Sequence, residues 1–123
     1  MKRKPFKFRI QVSPRRFVRV SISEDKPSMW KEIEREQGQR HQHELACTVF
    51  SPGATDRGCV AALFFSWQSV GRPAIVAHEA AHASQNICAV LKEKAELVDN
   101  EAHASWVEKL VEKILERTSK APL

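Results

Sequence analysis

The stretch Ile75-Val76-Ala77-His78-Glu79-Ala80-Ala81-His82-Ala83 leaves this chain little conformational choice. It is rich in alanine, holds no internal Gly or Pro, and follows Pro73, a residue suited to the first turn of a helix. The pattern predicts a helix from Pro73 to about Lys92. On that helix His78 and His82, four positions apart, stack one turn above each other. Two imidazoles so placed can grip a single Zn²⁺, each at roughly 2.0–2.1 Å. Glu79 lies about 100° further round the axis, too far to share the grip but well placed to reach a water held there. His-Glu-x-x-His therefore supplies two ligands and a general base from one short stretch. The same pattern also arises by chance in a chain rich in glutamate, so its meaning turns on a third ligand.

A catalytic zinc usually takes three protein ligands and leaves a fourth position for water. A second long helix is expected from about Glu96 to Thr118, with Leu97, Val98, Ala104, Val111, Ile114 and Leu115 at helical spacing. Its candidates are Asp99, Glu101 and His103. Glu101 falls among Leu97, Val98, Ala104 and Ser105, the stripe expected to face inward. Asp99 and His103 are each about 200° away and are expected on the solvated face. A buried carboxylate without a partner is costly, and a metal would give Glu101 one. The alternative is an ordinary solvated glutamate at the edge of the stripe.

Upstream, Lys7 to Val12 and Phe17 to Ile22 alternate polar with apolar residues around Ser13-Pro14-Arg15-Arg16, a β-hairpin with its basic side chains expected in water. Ser28 to Glu36 reads as a short amphipathic helix ended by Gly38. His41 and His43 alternate as strand residues do and form a weaker candidate metal pair, with a loop as the plainer reading. Leu45 to Phe50 is β-prone, Ser51 to Gly58 is a loop, and Cys59 to Trp67 is a nearly continuous apolar strand. The order predicts one domain over residues 1–123: α+β, a small mixed sheet of about four strands packed by three helices, with the helices against one face.

Bulk properties narrow the class. No run approaches the roughly 18 apolar residues of a membrane span, and no apolar segment follows the basic Met1-Lys2-Arg3-Lys4-Pro5, so no membrane association and a cytoplasmic location are expected. Cys47, Cys59 and Cys88 have neither zinc-knuckle nor disulfide spacing and are expected to be reduced. The net charge of +5 is concentrated at the start, where residues 1–20 hold Lys2, Arg3, Lys4, Lys7, Arg9, Arg15, Arg16 and Arg19 and no acid. Such a patch attracts nucleic acid or an acidic partner, or is simply the solvated face of a strand pair.

His78-Glu79-Ala80-Ala81-His82, followed at a short interval by Asn100-Glu101-Ala102 on a later helix, resembles the gluzincin metallopeptidases, of which thermolysin is the familiar member. The likeness covers about residues 59–115. At this length the chain is most similar to the minimal gluzincins, single small domains with a short sheet, an active-site helix and a glutamate-bearing helix. The resemblance implies zinc held by His78, His82 and Glu101, with Glu79 as general base and acid, and Asn100 and Ser105 beside the ligand set. It further implies that Cys59 to Trp67 is the edge strand along which a peptide or protein substrate lies, through Ala61, Ala62, Leu63 and Phe64. Two positions depart from the family. Ser105 stands where an aspartate often orients a zinc histidine, and the chain has no tyrosine to steady an oxyanion. These departures keep two rivals open. One is a weak or inactive zincin-fold module that holds a protein or nucleic acid through its basic hairpin or a strand edge. The other is a latent peptidase whose cleft is closed by its own N-terminal segment or a terminus.

Overall fold

The computed structural model describes residues 4–38, 45–50, 58–91 and 100–119. In chain order these form β1 (Phe6–Ser13), β2 (Arg16–Ser23), α1 (Lys26–Gln37), β3 (Ala46–Phe50), β4 (Cys59–Ser66), α2 (Trp67–Val70), α3 (Pro73–Val90) and α4 (Asn100–Ser119). The α+β class and the four-stranded mixed sheet are as expected. The strand order is β1-β2-β4-β3, with β1–β2 and β3–β4 antiparallel and β2–β4 parallel. No helix among the described residues is long and apolar enough to cross a membrane.

β4 sets the layers. Its apolar run has no polar side to give to water, and Ala61, Ala62, Leu63, Phe64 and Phe65 are all buried. Ala61, Leu63 and Phe65 pack in one cluster with Val76, Ala80, Ala83 and Ile87 of α3 and Leu110 and Ile114 of α4. Ala62 and Phe64 pack on the opposite side with Met29 and Ile33 of α1. A strand apolar on both faces needs cover on both. The helices therefore flank the sheet on two sides rather than lying against one face.

The same placement corrects the expected substrate strand. β4 is hydrogen-bonded to β2 along one edge and to β3 along the other, so it is an inner strand. The backbones at Ala61, Ala62, Leu63 and Phe64 are committed to neighbouring strands, and no peptide can add there. Among the described strands the outermost on this side is β3.

The hairpin alternates as the sequence predicts, with Phe8, Ile10, Val18, Val20 and Ile22 turned into the α3–α4 side of the core. Its other face is not left to water. Lys7 Nζ stands 2.9 Å from Glu32 Oε1 of α1, and Arg19 Nη2 stands 2.5 Å from Glu36 Oε2. Glu32 also pairs with Arg35, while the Arg9 guanidinium lies 4.1 Å from the centre of the Phe17 ring. Part of the amino-terminal charge is thus absorbed by the acidic face of α1.

Local signals account for the helix ends. Asp25 caps α1 by accepting from the Ser28 N–H, and Gly38 ends it at φ 72°, its own N–H donating to the Glu34 carbonyl. α2, absent from the sequence expectation, is a single turn held by a reciprocal Ser66–Ser69 capping box. At a register shift β2 passes over Val60, and the Asn86 side chain donates to the Val60 carbonyl, replacing a ladder bond that a bulge removes.

α4 differs from expectation in phase. Among its described side chains Leu110 and Ile114 are fully buried, flanked by half-buried Trp106, Val107 and Val111. Ala104 and Ser105 are exposed, as is Leu115. The inward stripe is rotated away from the one drawn through Ala104 and Leu115, because the larger Trp106, Val107 and Leu110 side chains outweigh them in the apolar area they bury.

Gly58 at φ 87° precedes β4, and a Cβ there would stand 2.4 Å from the Arg15 backbone oxygen. Gly38, also left-handed, has open space around it. Gly58→Ala is expected to lower the unfolding free energy by about 2 kcal/mol or more, and Gly38→Ala by only about 1 kcal/mol. Urea unfolding of both variants checks this; equal losses would contradict the close approach at Gly58.

Candidate functional site

α3 presents two working faces because its core face is narrow. Val76, Ala80, Ala83 and Ile87 meet the sheet, and the alanines let the helix axis come close. His78, about 200° round from Val76, is exposed, and so is His82 one turn later. Their rings meet edge to face with centroids 4.9 Å apart, and the two Nε2 atoms are 3.3 Å apart. A tetrahedral ion held at roughly 2.0–2.1 Å from each nitrogen would set them about 3.3–3.4 Å apart. The pair therefore has the bite of a zinc chelate. The same separation also suits a weak hydrogen bond between the two rings, so the bite alone does not require a metal.

Glu79 occupies the boundary between the core and the exposed pair. It is only 7% exposed, and a carboxylate buried to that degree needs a donor. Thr48 of β3 provides it: Thr48 Oγ1 lies 2.6 Å from Glu79 Oε1 and 3.2 Å from the Glu79 carbonyl oxygen. Period-two alternation makes this possible. Cys47 and Val49 pack toward α1, which turns Thr48 to the α3 side. A cavity of about 440 Å³ opens beside the carboxylate, bounded by Leu45, Ala46, Ala74, Ile75, His78 and Glu79. Glu79 therefore has one oxygen held by the strand and a largely apolar recess adjoining it.

The other residues singled out in the sequence fare differently. His103 was expected on the solvated face of α4; it is half-buried, with Nδ1 2.9 Å from Ser84 Oγ of α3. Ser84 also donates to the His103 carbonyl at 3.0 Å, so this corner joins the two helices. Ser105 is exposed on the face it shares with Ala104, and that shared face is the solvated one. Glu101 thus loses the positional support its neighbours lent it. The backbone of Asn100 and Glu101 opens α4, while their side chains, together with Asp99, His41 and His43, lie outside the described residues. Among the described residues no three of His, Cys, Asp and Glu stand close enough together to hold a metal ion. The Glu101 side chain lies outside that set.

Thr48 is the site residue that sequence reasoning missed. It is 31 positions from Glu79, and an isolated threonine in a β-prone run carries no signal of a carboxylate partner. Thr48→Val keeps the shape and removes the donor, and is expected to cost about 1–3 kcal/mol of stability. Thr48→Ser keeps the donor and should retain most of it. Thermal and urea unfolding of the two variants tests this, and equal losses would show that the hydroxyl contributes nothing.

No protein-family model, curated protein or solved structure matches the chain, so the chemistry of the site has to be read from these residues themselves.

Proposed function

We propose that this chain is a zinc-dependent peptide hydrolase of the gluzincin kind, with His78, His82 and Glu101 as ligands and Glu79 as general base. One observation carries the reading: two exposed imidazole nitrogens 3.3 Å apart beside a carboxylate held by a strand hydroxyl at 2.6 Å. Zinc at this place would supply Lewis acidity, easing the ionisation of water toward neutral pH and polarising a carbonyl. The remaining steps belong to the protein. Glu79 takes a proton from the attacking water and returns it to the departing amine. Thr48 holds the carboxylate in one rotamer, so the base does not have to be ordered at the moment of reaction. Leu45, Ala46, Ala74 and Ile75 line a recess suited to an apolar substrate side chain and restrict water around Glu79. β3, outermost of the described strands on this side, is where an extended peptide would add by backbone hydrogen bonding.

Support for Glu101 as third ligand comes from the gluzincin resemblance alone. Zinc content by elemental analysis tests the ligand set directly. The wild type is expected to hold one equivalent, and His78→Ala and Glu101→Ala to lose it; unchanged stoichiometry in both would end the proposal. Glu79→Gln is expected to keep the metal while hydrolysis of a peptide library falls by about 10²–10⁴-fold. Undiminished hydrolysis in that variant would mean that the base is another group.

A further inference from the structure

We draw no further inference here: the strongest candidate, the apolar cavity bounded by Leu45 and Ala46 at the start of β3 and by Ala74 and Ile75 of α3, belongs to the site already described.

Discussion

Burial of β4 on both of its faces is the constraint on which the other elements depend. An apolar strand with no side to show to water has to sit inside the sheet and carry helices above and below. Ala61, Leu63 and Phe65 bring α3 and α4 onto one side; Ala62 and Phe64 bring α1 onto the other. With β4 inside, β3 is pushed outward and lies alongside α3. The site follows from that geometry. α3 must give one face to β4, which leaves His78 and His82 to solvent and sets Glu79 against β3.

The Thr48–Glu79 hydrogen bond is where stability and chemistry meet. A carboxylate that is 7% exposed is unfavourable unless it is hydrogen-bonded, and the bond that relieves this cost also fixes the direction of the side chain. The strand hydroxyl therefore helps hold β3 to α3 and fixes the Glu79 carboxylate by the same contact. The two histidines need no such support, since a single turn of helix sets their separation. Ser84 and His103 tie α4 to the opposite flank of α3, so that helix is held from both sides.

The other face of the sheet works by charge as well as by apolar contact. Lys7 and Arg19 leave the hairpin toward Glu32 and Glu36 of α1, while Met29 and Ile33 of the same helix seat on Ala62 and Phe64. One amphipathic helix thus covers an apolar inner strand and neutralises a basic outer pair.

Local periodicity made much of this readable in the sequence. The hairpin, the helix ended by Gly38, the strand from Cys59 and the stacking of His78 over His82 all rest on repeats of two or 3.6 residues, and each was legible from nearby residues alone. What depended on distant partners was not. Cys59 to Trp67 looked like an edge strand, but an inner position is decided by which neighbours pair with it. The phase of α4 could be drawn through Ala104 and Leu115 or through Trp106, Leu110 and Ile114, and only packing against α3 and the sheet chose between them. Thr48 had no counterpart in the sequence pattern because its partner is 31 positions away. The chain by itself thus determined its three longer helices, its strands and the imidazole pair, since these are set by bonds and rotations within a few residues. Tertiary structure alone decided which strand is outermost, which face of α4 turns inward and what holds Glu79, because each of these is a competition for the same buried space.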